Sequence, residues 1–164
     1  MEKEKFMLVA YEEGLKSKKS KDVPVGAVIV KDGKIIARAY NKKEKKKNCL
    51  AHAEIIAINR ASKKLKNFRL DECDIYITKE PCLMCMGALL SARIKKIYFG
   101  AKDKRFGTSL LAKDNNFNHK CEVEGGILKD KCEEILSQFF KSLRGENEDI
   151  TKNCTTRKYK NKTN

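Results

Sequence analysis

Histidine is almost missing from this chain: its 164 residues hold only two, against 37 Lys+Arg. Other absences narrow the field. Met1 to Leu15 alternates charged and apolar residues and contains no apolar h-region, so no secretory leader is expected there. No apolar run approaches the length of a bilayer crossing, which argues against a helical membrane span. The seven cysteines are an odd number. Beside Cys82 and Cys85 there is no second C-x-x-C pair, because Cys49, Cys73, Cys121, Cys132 and Cys154 are scattered. A disulfide framework and a zinc ribbon are therefore disfavoured, and reduced thiols in the cytoplasm, with a metal among them, are expected. Arginine is scarce beside lysine. The net charge of +15 thus points to a polyanionic partner such as a nucleic acid, but a simple lysine preference weakens that argument.

What is present reads as one α/β domain. The length suffices for one real core and not comfortably for two. Residues from about Glu2 to Lys16 have helical spacing, with Phe6, Val9 and Ala10 on one face. "VPVGAVIVKDGKIIARAYN" holds two apolar runs around Asp32-Gly33, a strong hairpin signal. "NKKEKKKN", Asn41 to Asn48, reads as an exposed loop. "HAEIIAINRASKKL" is helical, with Ile55, Ile58 and Ala61 at matching spacing. "CDIYITK", "KKIYFG" and "CEVEGGI" read as strands. "CLMCMGALLSARI" is a helix apolar almost all round, hence buried in a core or at a subunit contact. "LKDKCEEILSQFFKSLR" is an amphipathic helix ending near Arg144. Gly145 to Asn164 is polar, with a basic end "RKYKNK", and is expected to be a disordered tail. The domain is thus placed at residues 1–144 and the tail at 145–164. Strands alternating with helices imply a sheet covered on both faces, with sites where strands end and helices begin.

One of the two histidines sits in "LAHAE", Leu50 to Glu54, and "PCLMC", Pro81 to Cys85, follows later in the chain. Both segments fall at helix starts after strands. Cys82 and Cys85 are three apart, so their sulfurs share one side of a first helical turn. Thiolates there are favoured by the free amides and the positive end of the helix. His52 offers a third ligand from the neighbouring helix start. Three Cys and His ligands with the fourth position open describe catalytic Zn2+. Glu54 suits a general acid/base beside the metal better than a ligand. Separately the parts are weak: a lone C-x-x-C can be a redox pair, and a lone histidine at a helix start is usually a packed or capping side chain. A redox pair leaves Pro81 and the His-x-Glu unexplained.

His-x-Glu followed by Pro-Cys-x-x-Cys is the signature of the zinc-dependent nucleobase deaminases. Over about Phe6 to Arg144 the chain resembles the bacterial tRNA-specific adenosine deaminases, through "VPVGAVIV", "AYN", "AHAEIIAI", "NFRLDECDIYITKEPCLMCMGALLSARIKKIYFGAKD", "FNHK", "EGGIL" and "FFKSLR". The resemblance implies a cytidine-deaminase-like three-layer α/β/α sandwich with a five-stranded mixed sheet. It implies a homodimer that converts the wobble adenosine of a tRNA anticodon, chiefly an arginine tRNA, to inosine. It further implies His52, Cys82 and Cys85 as ligands of one zinc per subunit, with Glu54 as proton shuttle. Asn41 and the backbone amide of Ala53 would contact the base, Val23 and Val25 would pack near it, and Asp103 would lie near the bound nucleotides. Two stretches depart from the family pattern. Asn48, Cys49 and Leu50 stand where the family has Asp-Pro-Thr, and the segment from Asp103 to His119 is short.

Other classes share some of these features. A deaminase of free cytidine, deoxycytidylate or guanine would have the same zinc signature. A non-catalytic RNA-binding subunit would be basic but would lack the glutamate. A structural zinc protein would need a fourth ligand, for which Cys49 is the candidate.

Overall fold

The fold follows from period-two apolar strands that have to be covered on both faces. A computed structural model describes residues 2–113 and 116–158 of the chain. Its elements are α1 (Glu2–Leu15), β1 (Gly26–Lys31), β2 (Lys34–Tyr40), α2 (Lys43–Lys46), α3 (Ala53–Leu65), β3 (Cys73–Lys79), α4 (Leu83–Ser91), β4 (Lys96–Ala101), β5 (Glu122–Gly125) and α5 (Lys129–Lys158), with 3-10 turns at Lys16–Ser20 and Ser109–Lys113. The sheet order is β2-β1-β3-β4-β5. β1 is antiparallel to both β2 and β3, and β4 is parallel to both β3 and β5. The sheet is therefore five-stranded and mixed, as expected.

Alternate residues of each strand serve opposite faces. Ala27, Ile29, Ile75, Ile77 and Ile97 pack with Ala53, Ala57 and Ala61 of α3 and with Met86 and Leu89 of α4. Val28, Val30, Tyr76 and Tyr98 pack with Phe6, Met7 and Ala10 of α1 and Cys132 of α5. Each fully buried isoleucine contributes roughly 1.5–3 kcal/mol. Tyr76 and Tyr98 stack at 4.6 Å between ring centroids. These are the three layers of an α/β/α sandwich.

At the β1–β2 turn, Asp32 and Gly33 both adopt positive φ, 49° and 69°. That is the two-residue turn whose twist matches a hairpin, and it is why glycine is placed there. Lys43 to Asn48 of "NKKEKKKN" are exposed as expected, but Asn41 is buried and Lys42 half-buried, and the segment winds into the single turn α2. On α3 the face turned fully inward is the alanine stripe 53, 57 and 61, while Ile55 and Ile58 are half-buried. Small side chains at i, i+4 and i+8 let the helix axis approach the sheet, which leaves the isoleucines to its flanks. α4 is likewise not buried all round: Cys85, Met86, Leu89 and Leu90 point inward, and Leu83 is 64% exposed. The amphipathic C-terminal helix does not stop near Arg144. Its backbone remains helical through Lys158. Gly145 fails to end it because no proline follows, and one interior glycine costs only about 1 kcal/mol relative to alanine. Residues 159–164, with most of the basic end, lie outside the described residues.

Candidate active site

The two halves of the motif occupy equivalent places. His52 is the N-cap of α3 and Cys82 the N-cap of α4, both with extended backbone. Neither side chain caps its own helix, so both are available to a site. The first intrahelical bonds still form, from Ile56 N–H to the His52 carbonyl and from Met86 N–H to the Cys82 carbonyl. Because α3 and α4 lie side by side on one sheet face, their starts converge. His52 Nδ1 is 3.7 Å from Cys82 Sγ and 3.5 Å from Cys85 Sγ. The three ligand atoms lie within 4.8 Å of one another. A zinc ion with bonds of roughly 2.3 Å to sulfur and 2.1 Å to nitrogen sets tetrahedral S···N edges at about 3.6 Å. The spacing observed thus fits a metal of that kind. Cys49 is exposed and outside this group.

The cluster shares its protons unevenly. The Cys85 thiol and the His52 ring draw the Cys82 thiol down to about 3. Cys85, more deeply buried, is pushed up, first by the Cys82 thiolate and then by burial. His52 is raised by its bond to Cys82. Glu54, in the first turn of α3, is 4% exposed, and burial raises its carboxyl above the ordinary range. A buried carboxyl beside the cluster is placed to move a proton rather than to serve as a ligand.

These groups form the floor of a cleft of about 340 Å³. Val23 and Val25 form one wall with Asn41, and Ala53 lies on the floor beside Glu54. Asp103, in the loop after β4 that forms a lip of the cleft, lines it too. All nine residues singled out in the sequence thus line this cleft or hold its floor, Cys85 through the metal-binding cluster. The Asn41 side chain donates to the Val23 carbonyl at 3.1 Å and accepts from Lys43 N–H at 3.1 Å. One amide hydrogen is left over for a ligand.

Five further cleft residues escaped sequence reasoning: Lys43, Lys79, Glu80, Phe106 and Phe140. Glu80 is 3% exposed. Its carboxylate accepts from Asp103 N–H and Ser109 N–H, each at 3.0 Å, and so fixes the ends of the lip loop. Asp103 in turn accepts from Arg105 N–H and Phe106 N–H and pairs with Lys79. Thr108 donates to the Pro81 carbonyl at 2.9 Å, tying the same loop to the start of α4. The available signal for Glu80 was its place directly before Pro81, between a strand end and a helix start. Phe140 comes from α5, and nothing local in the sequence marks it as a cleft residue.

Comparison with known proteins agrees with this geometry. Residues 1–144 match the family model of the MafB19-like deaminases. A tRNA-specific adenosine deaminase of Bacillus subtilis (strain 168) is 40% identical over 156 residues, covering 93% of this chain and 97% of that protein. Its counterpart in Aquifex aeolicus (strain VF5) is 41% identical over 148 residues, covering 88% and 97%. A solved structure from a study of A-to-I editing by tRNA:A34 deaminases at the wobble position superposes with a TM-score of 0.78 at 36% identity, over 80% of this chain and 99% of that one. On matches of this extent, the chain belongs to the MafB19-like deaminases and to the tRNA-specific adenosine deaminase family.

Proposed function

We propose that this protein hydrolytically deaminates adenosine to inosine at the wobble position of a tRNA anticodon, an arginine tRNA being the expected substrate. The observation that carries the reading is the convergence of His52, Cys82 and Cys85 within 4.8 Å at the floor of the cleft that also holds Glu54 and Asn41. His52, Cys82 and Cys85 would hold one zinc ion per subunit. Bound there, zinc supplies a Lewis acid able to bring the pKa of water to near neutrality.

The remaining work falls to the chain's own residues. Glu54 takes a proton from the attacking water and delivers it to N1 of adenine, then takes the proton left on the added oxygen and passes it to the departing amine. Water oxygen adds at C6, the C6–N bond breaks, and ammonia and hypoxanthine result. Asn41 offers its remaining amide hydrogen to the base, as does the backbone N–H of Ala53. Val23 and Val25 exclude water from the base's face. Asp103 stands where nucleotides neighbouring the target would pass. The reacting groups sit at the floor of a cleft, so the adenosine has to leave its stack to reach them, which suits an anticodon loop.

Residues 1–144 constitute the deaminase unit in this reading, and 145–164 are dispensable for its chemistry. A homodimer is supported by apolar side chains left at the surface, Leu83 on α4 and Phe68 beyond α3. The protein works in the cytoplasm, where its tRNA is found. No described helix is long and apolar enough to cross a membrane. The test is incubation of the purified, metal-assayed protein with an anticodon stem-loop bearing wobble A, its C-substituted counterpart, and free adenosine, cytidine, deoxycytidylate and guanine. Inosine is expected only in the first. Rapid turnover of a free base or nucleotide with no inosine in the stem-loop would replace this reading by the free-substrate one.

A further inference from the structure

Two lysine-rich turns flank the wall of the cleft, and buried polar side chains pin them to each other. The first is the 3-10 turn Lys16–Ser20, followed by Lys21. The second is α2 with its borders, Lys42 to Lys47. The chain enters the cleft wall at Val23 from the first turn and leaves it at Asn41 into the second. Ser17, fully buried, donates to the Asn41 carbonyl at 3.0 Å. Asp22, 1% exposed, accepts from the backbone N–H groups of Glu44 and Lys45 and from the Ser20 hydroxyl. A buried carboxylate thus caps α2 and joins it to the other turn. The Asn41 side chain completes the link by accepting from Lys43 N–H.

This construction leaves Lys18, Lys19, Lys43, Lys45, Lys46 and Lys47 exposed around one edge of the cleft, with Lys43 lining it. The neighbouring acids neutralise only part of this charge: Asp22 faces inward, and Glu44 pairs with Lys47 at 3.6 Å. A charge run without tertiary links is an ordinary solvated surface. Here three buried polar groups hold the two runs in one place, on the same segments that form the base-binding wall.

We propose that the two turns form one platform for the sugar–phosphate backbone of the RNA strand flanking the flipped adenosine. The inference rests on the RNA reading of the cleft. Lysine ammonium groups contact phosphates as point charges, so the platform binds without reading sequence. It fixes the strand while Asn41, on the same pinned unit, meets the base.

The test compares two quadruple variants of the full chain. In one, Lys18, Lys19, Lys45 and Lys46 are changed to Gln. In the other, Lys34, Lys64, Lys66 and Lys95, at the opposite end of the sheet, are changed to Gln. Binding of a fluorescent inosine-bearing anticodon stem-loop is followed by anisotropy from 50 to 200 mM KCl. kcat/KM is measured on the adenosine form, with metal content and melting temperature checked in parallel. The platform variant is expected to bind roughly tenfold or more weakly. Its slope of log K against log salt should flatten by about 0.7 for each phosphate of the single strand that is no longer neutralised. The opposite-end variant should stay within twofold of wild type. Equal losses of affinity in the two, or an unchanged slope in the platform variant, would overturn the proposal. If the quadruple platform variant melts early, the pairs Lys18→Gln/Lys19→Gln and Lys45→Gln/Lys46→Gln carry the same comparison. Wild-type protein that makes no inosine in the stem-loop would refute the substrate reading, while the anisotropy slopes would still decide whether the platform binds RNA.

Discussion

The two ends of the central sheet handle buried carboxylates in opposite ways. At the cleft end, Asp22 and Glu80 are almost wholly enclosed, and each accepts from backbone N–H groups of a loop it does not belong to. At the other end, where β3 begins, Asp74 keeps a buried oxygen, Oδ1, with no hydrogen-bond partner among the described residues. Burial raises its carboxyl above the ordinary value, with Lys95 and Lys96 opposing that shift and Glu122 reinforcing it. The same functional group is therefore a loop anchor at one end and a net cost at the other. An enclosed carboxylate stabilises what surrounds it when amides converge on it, and burial alone achieves the reverse.

The largest expected effects lie at the cleft floor. His52→Ala should lose the metal and with it all measurable deamination. Glu54→Gln should keep the metal and lower kcat by about 10²–10⁴. Plasma emission analysis together with inosine assay separates the two, and loss of metal from the glutamine variant would make Glu54 a ligand. Next comes Glu80→Gln. The amide can accept one of the two backbone N–H bonds but confronts the other with its own NH2, so the lip loop loses an anchor. kcat/KM on the stem-loop should fall about tenfold with metal content unchanged, the cost of one unsatisfied buried donor being about 1–3 kcal/mol. Glu80→Asp, which keeps both acceptors, should recover part of the loss. A Glu80→Gln enzyme with wild-type kinetics would mean that the lip does not shape recognition.

At the other end of the sheet the sign reverses. Because the folded state raises the Asp74 pKa, the ionised form is the disfavoured one. The penalty is present at neutral pH and disappears as the pH falls below the ordinary carboxylate value of 3.8. Asp74→Asn should therefore raise the melting temperature at neutral pH, by roughly 2–4 °C per kcal/mol relieved. The gain should vanish in acid, and deamination should be untouched. Calorimetry showing a lower melting temperature at pH 7 would abolish the contrast between the ends. The smallest effect belongs to Cys49→Ser, which should keep its metal and stay within twofold of wild-type activity, since Cys49 is exposed and outside the cluster.

The cleft floor was legible in the sequence because its chemistry is local. Cys82 and Cys85 share one helical turn, and His52 and Glu54 share another, so short spacings encode their directions. The sheet was equally legible, since period-two runs and the Asp32-Gly33 turn are local signals. Other features depend on packing between distant segments. Glu80 acts on amides 23 and 29 residues away. Phe140 reaches the cleft only because α5 crosses the sheet. The inward face of α3 went to alanines rather than isoleucines because close helix–sheet approach favours small residues, which hydrophobic periodicity alone does not weigh. The persistence of α5 past Arg144 shows that polar composition, the ground for expecting a disordered tail, does not by itself end a helix.

Gly26 limits how far this cleft can be reshaped. A Cβ at that position would lie 1.8 Å from the Ala10 carbonyl oxygen and 2.5 Å from the Gly14 nitrogen of α1. The backbone of α1 thus rests directly on the first residue of β1, one residue after Val25 in the cleft wall. Gly26 N–H also donates to Thr78 Oγ1 at 3.1 Å, which ties this junction to the end of β3. A helix that contributes no residue to the cleft lining therefore sets the position of the wall, with backbone against backbone as the gauge. Every side chain larger than hydrogen would shift either the helix or the wall. Within this architecture the alphabet at position 26 has one letter, and the width of the cleft is inherited from it.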